Sequence, residues 1–163
     1  MKRTVIDVDF LAQKSVIFRG RLGTRLAKLI WHLLAIDRVN WVYGRSCDKK
    51  GAAFSEGLLK DLGVDYRVGN VERLQNLPQG AFITVSNHPY GGLDGIMLIH
   101  LMASIRSDYK VMVNQILTLI EAMEENFISV QPHVGNSTVP TSEAINGVRE
   151  TLRRLHQDHP VGF

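Results

Sequence analysis

Apolar positions recur with two different periods along this chain, and each change of period marks an element. Leu22, Leu26, Leu29, Ile30, Leu33 and Leu34 fall on one face at helical spacing, so a helix is predicted over 22–36. Arg21, Thr24, Arg25, Lys28 and His32 fall largely on its other face. Before it, Met1 to Asp9 reads as an irregular arm in which Val5, Ile6 and Val8 suit a short edge strand, and Phe10 to Gly20 allows a helical turn or two. After it, Val39 to Tyr43 reads as a short extended piece. Asp48 is placed to cap a helix running to about Leu62, with Phe54, Leu58, Leu59 and Leu62 apolar, and Gly63 is placed to stop it in the left-handed conformation. Val64 to Val68 alternates apolar and polar, as a half-exposed strand does. Val71 to Leu77 suits a helical turn ended by Pro78, and Gln79-Gly80 a turn.

The next stretch organises the rest. Phe82 to Val85 reads as a buried strand, Ser86 to Gly92 as a loop, and Leu93 to Ile105 as a mostly apolar helix with Asp94 at its start. Tyr109 to Val113 and Phe127 to Val130 read as strands, separated by a short helix over Leu117 to Glu125. Gln131 to Pro140 reads as a loop. Thr141 or Ser142 caps a helix to about His156, with Ile145, Val148, Leu152 and Leu155 as its expected buried face. His159 to Phe163 looks like the entry to one more strand. Strands alternating with helices predict an α/β fold, a mostly parallel sheet flanked by helices. No repeat or linker interrupts it, so residues 1–163 read as one domain with an N-terminal helical portion over about 10–62.

Composition narrows the class. With 163 residues, 45% of them hydrophobic and 21% charged, the chain can bury a real core. A net charge of +3 and a pI near 9.2 are mildly basic. They suit an anionic lipid surface or an acidic carrier protein, and no nucleic-acid partner is expected. Cys47 is alone, which excludes an internal disulfide and a CxxC metal site and favours a reducing compartment. The start, MKRTVIDVDF, lacks the apolar core of a secretory signal, and no window has the length of a spanning helix. The expectation is a cytoplasmic protein, soluble or peripheral at the inner face of the membrane. The basic helix over 22–36, with Trp31 and preceded by Arg19, suits a membrane interface, or equally an ordinary surface helix packed on a core.

The chemistry concentrates where the central strand ends. His88 sits at that strand end and Asp94 where the next helix begins, the crevice in which open α/β sheets bind ligands. A histidine within reach of a carboxylate is the minimal general-base pair. Each has a plainer reading: a loop histidine as a surface polar residue, Asp94 as a helix N-cap, Asn87 as a turn residue, and the apolar helix as core rather than as the wall of a chain-binding pocket.

Asn87-His88-Pro89-Tyr90-Gly91-Gly92-Leu93-Asp94 resembles the first motif of the glycerolipid (PlsC-like, lysophospholipid) acyltransferase superfamily, and in particular a hemolysin-like bacterial branch that includes acyltransferases making amino-acid lipids. Five residues separate His88 from Asp94, where the usual form has four. The resemblance covers roughly Leu74 onward. It implies that His88 is the general base and Asp94 the carboxylate that orients it. Gly91 and Gly92 would turn the chain to bring the two together, and Asn87 would complete the substrate-facing loop. It implies an acyl carrier protein or coenzyme A thioester as donor, a lipid acceptor, and neither a metal nor any cofactor beyond the thioester.

The family's second block has an Arg that meets the acceptor phosphate. Here the matching strand end is Val130-Gln131-Pro132-His133, without one. The third block, an apolar strand then Phe-Pro-x-Gly, is met only as Val161-Gly162-Phe163. The expectation is therefore of a domain incomplete at its C-terminus and inactive by itself, belonging to an active acyltransferase of phospholipid or membrane-lipid biosynthesis. The alternatives are an inert lipid- or carrier-binding fragment and a metal-dependent hydrolase using His88, Asp94 and His133.

Overall fold

The computed structural model describes residues 4–5, 20–33, 35–130 and 142–163. The expected edge strand near Ile6 and Val8, the turns before Gly20, Arg19, and the loop over 131–140 with His133 lie outside the described residues. The chain divides into two compact units, Met1–Asp48 and Lys49–Phe163.

The first unit holds α1 (Gly20–Leu33) and α2 (Ile36–Ser46). The pattern predicted one helix to Ile36 and then an extended piece. Instead Ala35 turns left-handed at φ 52°, and the chain from Ile36 re-enters a helix with Asp37 in its first turn, where a carboxylate complements the helix dipole. Trp31 Nε1 donates to Asp37 Oδ1 at 2.6 Å across this joint. Val39, Trp41 and Tyr43 alternate like a strand, but a helix satisfies its backbone groups locally and a lone strand cannot. In α1, Gly23, Ala27 and Trp31 are buried, whereas Leu26, Leu29 and Leu33 of the expected apolar face are exposed beside Arg25 and Lys28.

The second unit is the α/β body. α3 (Gly51–Leu62) is preceded by Lys50 as N-cap rather than by Asp48, and it ends as expected: Gly63, at φ 66°, donates its N–H to the carbonyls of Leu59 and Lys60. Residues 64–68 belong to no strand. The alternation is nonetheless real, with Val64, Tyr66 and Val68 half-buried and Asp65 and Arg67 exposed. Tyr66 is fixed by a 2.7 Å hydrogen bond between its hydroxyl and His100 Nδ1, and its ring stands edge-on to the imidazole. A 3-10 turn follows over Val71–Asn76.

Among the described residues four strands form one wholly parallel sheet in the order β1-β4-β2-β3: β1 (Ile83–Thr84), β2 (Lys110–Asn114), β3 (Phe127–Val130) and β4 (Val161–Gly162). α4 (Gly92–Ile105) connects β1 to β2, two 3-10 segments (Gln115–Leu119 and Glu121–Asn126) replace the predicted helix between β2 and β3, and α5 (Ser142–His156) connects β3 to β4. The last strand thus inserts between β1 and β2. Val161 N–H bonds to Phe82 O, Phe163 N–H to Thr84 O, and Ser86 N–H to Phe163 O, so pairing carries β1 to the loop beyond it. β1 is an edge among the described strands, and Ile83 and Val85 are exposed rather than buried as predicted. Phe54, Leu59, Ile99, Met102, Val111, Met123, Ile128 and Val161 make the core. Gly162 passes against the buried Tyr109, whose hydroxyl bonds to Thr84 Oγ1; a Cβ at Gly162 would occupy that hydroxyl's place.

α5 meets the sheet through an unexpected face. Gly147 approaches β3 so closely that a Cβ there would collide with Val130 and with the Ser129 carbonyl. Gly147, Thr151 and Arg154 therefore face inward, and Ile145, Val148 and Leu152 are exposed.

The N-terminal ends of β2 and β4 are held by a polar bracket. Arg106, just past α4, donates to the carbonyls of Pro78, Gln79, Gly80 and Asp158 and forks onto Asp108. His159 Nδ1 lies 2.7 Å from Asp108 Oδ2, and Arg154 donates to the Asp108 carbonyl. The Arg106 guanidinium and then His159 hold the Asp108 carboxyl at about 2, against the opposing effect of burial.

Candidate active site

β1 delivers the chain to the opposite end of the sheet from this bracket. Ser86 is still tied to Phe163 there, and residues 85–90 are exposed. The loop then closes on itself. Gly91 N–H reaches back toward His88 O at 3.5 Å, and Gly91 takes φ 63°, ψ −128°, a conformation that side-chain-bearing residues reach only under strain. α4 begins at Gly92. Gly91 occupies the cap position without a side-chain cap, so Asp94 is not the N-cap. It lies in the first turn and looks back: its Oδ2 accepts the Tyr90 N–H at 2.7 Å and stands 3.8 Å from His88 Nδ1. The carboxylate is 11% exposed and the imidazole 63%.

This arrangement defines what the pair can do. Nδ1 of His88 faces the carboxylate, and Nε2 is left for a substrate proton. The remaining gap exceeds a hydrogen bond by about 1 Å, within the reach of a side-chain rotation by an exposed imidazole and typical of sites that tighten around substrate.

Residues of the loop line two hollows. On the His88 side a cavity of about 390 Å³ runs between α4 and the sheet. Its mouth has Ser86, His88 and Gly92; its walls are Ile96, Leu98, Ile99, Val111, Val113, Leu117, Met123 and Phe127, nearly all apolar. Gly95 also lines it, and nothing lies within 4 Å of where its Cβ would be. The volume falls in the roughly 300–1,000 Å³ range of ligand clefts. The apolar helix is thus both core and cavity wall, and Ile99 serves as both. A second, shallower hollow of about 420 Å³ is bounded by Asn87 and Asp94, by Tyr66 and Arg67, and by Met97 and Leu101 of α4. Ser86 and Leu98 line both.

Of the expected site residues, His88 and Asp94 are brought together, Gly91 makes the turn, Gly92 lies at the cavity mouth and Asn87 in the second hollow. The pattern gave no signal for Tyr66, Arg67 or Gly95 near the loop. Among the described residues no cluster of His, Cys, Asp or Glu could hold a metal ion.

A parallel α/β body with a histidine and carboxylate at a strand-to-helix loop above an apolar cavity fits acyl transfer, and comparison with known proteins agrees. The family model described as "Acyltransferase" matches residues 11–149, and the chain belongs to that acyltransferase family. Among curated proteins it is 35% identical over 119 residues to a lyso-glycine lipid O-acyltransferase of Bacteroides thetaiotaomicron and 28% identical over 120 residues to one of Phocaeicola vulgatus. The matches cover 69% and 68% of this chain and 42% of each relative, so the chain matches well under half the length of these proteins. No solved structure gives a significant match.

Proposed function

We propose that this chain carries the catalytic loop of a lipid O-acyltransferase that moves a fatty acyl group from a thioester to the hydroxyl of a lysolipid. The observation that carries this reading is the His88–Asp94 pair at the mouth of an apolar cavity, in a chain of the acyltransferase family. His88 Nε2 takes the proton of the acceptor hydroxyl as that oxygen attacks the thioester carbonyl. Asp94 stabilises the imidazolium and keeps Nδ1 protonated, the logic of the Ser-His-Asp triad with the substrate hydroxyl in place of serine. The tetrahedral intermediate collapses with cleavage of the C–S bond. The leaving thiolate receives the proton from His88, giving an ester and a free thiol. The cavity takes the fatty chain, and Gly92 at its mouth leaves room for the reacting ester.

The donor is an acyl carrier protein or coenzyme A thioester. The acceptor, after the names of the relatives, is a lysolipid with an amino-acid head. No helix among the described residues is long and apolar enough to cross a membrane. Leu26, Leu29 and Leu33 are exposed on α1 beside Arg25 and Lys28, which supports peripheral binding to the anionic inner face of a membrane.

The test is His88→Ala in the protein that carries this chain, assayed with acyl-carrier-protein and acyl-coenzyme A donors against lysolipid acceptors. Loss of a general base lowers the rate by about 10²–10⁴-fold. Turnover within threefold of the unaltered protein would remove the mechanism.

A further inference from the structure

We propose that the hollow on the Asn87 side of the loop seats the anionic head group of the acceptor, with Arg67 as its binding residue. The inference rests on the reading of His88 and Asp94 as the acyl-transfer pair and adds where the acceptor lies. Among the described residues Arg67 is the one basic residue lining this hollow; it is exposed, and no hydrogen bond or ion pair with another described residue engages it. The acidic group in the same hollow, Asp94, already accepts the Tyr90 N–H and faces His88. Among the described residues Arg67 is therefore a positive charge without a matching partner.

Its position is set rather than loose. Tyr66 is anchored on His100, and Val64 N–H bonds to Leu59 O, so the segment is pinned on both α3 and α4. The half-buried Tyr66 and Val68 on either side turn residue 67 outward to the rim. A guanidinium offers a planar fork of donors that matches a carboxylate or phosphate through two parallel hydrogen bonds. Asn87 adds an amide within the same hollow, and Met97 and Leu101 supply an apolar wall for the first methylenes beyond a head group. Because Ser86 and Leu98 line both hollows, an acceptor anchored at Arg67 lies next to the cavity that His88 lines. The chemistry recognised is an anionic head: the free carboxylate of an N-acylated glycine, or a phosphate monoester.

The test is a binding titration, which needs no turnover. N-octanoylglycine, its neutral amide N-octanoylglycinamide, and octyl phosphate are titrated into the chain and into Arg67→Ala and Arg67→Gln, with melting curves to confirm that the variants fold. The expected result is that the unaltered chain binds an anion about tenfold or more tighter than the amide, and that both variants lose this preference while binding the amide unchanged. Tighter binding of octanoylglycine assigns a carboxylate head, and tighter binding of octyl phosphate a phosphate head. An unaltered chain that does not distinguish anion from amide, or variants that keep the preference, would overturn the inference. Retained turnover in His88→Ala would sink the transfer mechanism without altering these titrations, so the two failures are distinguishable.

Discussion

Replacing Asp94 by Asn separates a catalytic carboxylate from a structural one. In the structure one oxygen, Oδ2, does both jobs: it accepts the Tyr90 N–H at 2.7 Å and faces His88 Nδ1 at 3.8 Å. An asparagine amide oxygen keeps the first contact as a neutral hydrogen bond. A charged acceptor is worth about 1.5–3 kcal/mol and a neutral one about 0.5–1.5, so roughly 1 kcal/mol is lost from the loop. The negative charge in the first turn of α4 contributes about 0.3–1 kcal/mol through the helix dipole, and that is lost too. The total of about 1–2 kcal/mol should lower the melting temperature by several degrees. Asp94→Ala removes the acceptor altogether and should cost more. Activity should move much further. Asn cannot stabilise an imidazolium, and its amide N–H₂ can select the wrong tautomer of His88, so turnover should fall by about 10² or more. The assay is thioester release with a lysolipid acceptor, alongside thermal melting. If Asp94→Asn melts a few degrees lower yet turns over within threefold of the unaltered enzyme, the carboxylate only ties the loop and the catalytic argument is wrong.

Two further outcomes follow from other residues. Gly95→Leu projects a branched side chain into the apolar cavity from a position with no neighbour within 4 Å, and also removes a helix glycine worth about 0.8–1.0 kcal/mol relative to alanine. The protein should be no less stable and should shift its preference toward shorter acyl donors; an unchanged chain-length profile over graded thioesters would place the acyl chain elsewhere. The bracket at the other end of the sheet sets an acid limit. The Asp108 carboxyl is lowered from 3.8 to about 2 by Arg106 and His159, so its stabilising effect is complete above pH 4 and is lost as pH falls toward 2. Allowing for a carboxylate that is 29% exposed, this is on the order of 1 kcal/mol, and Asp108→Asn should show a flatter acid branch in a denaturation series from pH 5 to 2.

The elements legible in the sequence were those decided by local rules. Gly63 stops α3 because a glycine accepts the left-handed cap, β3 is a short segment apolar but for the exposed Ser129, and α4 follows a loop of turn residues. What misled was pattern without knowledge of the neighbour. Ile145, Val148 and Leu152 form a sound apolar stripe, but α5 can reach β3 only where Gly147 removes the side chain, so the stripe turns outward. Val64 to Val68 has the alternation of a strand, yet its partner is helical, through Tyr66 and His100, and no ladder forms. At the site, His88 and Asp94 were visible because both sit at element boundaries. Arg67 and Gly95 were not, since nothing in their local spacing says that residues 66–69 fold against the same loop.

The spacing of the loop bears on how this site can work at all. One residue more than the usual four between His88 and Asp94 would, if it lengthened the helix ahead of the carboxylate, rotate Asp94 by about 100° away from the histidine. The structure avoids this by spending the length before the helix starts. His88 to Gly91 forms a turn closed by Gly91 N–H, Gly91 takes the positive φ, and α4 begins only at Gly92. The direction of Asp94 is then set by the start of the helix and by its own bond back to Tyr90, not by the count of residues from His88. The geometry of the pair therefore depends on one turn, and the glycine at its corner is what permits it.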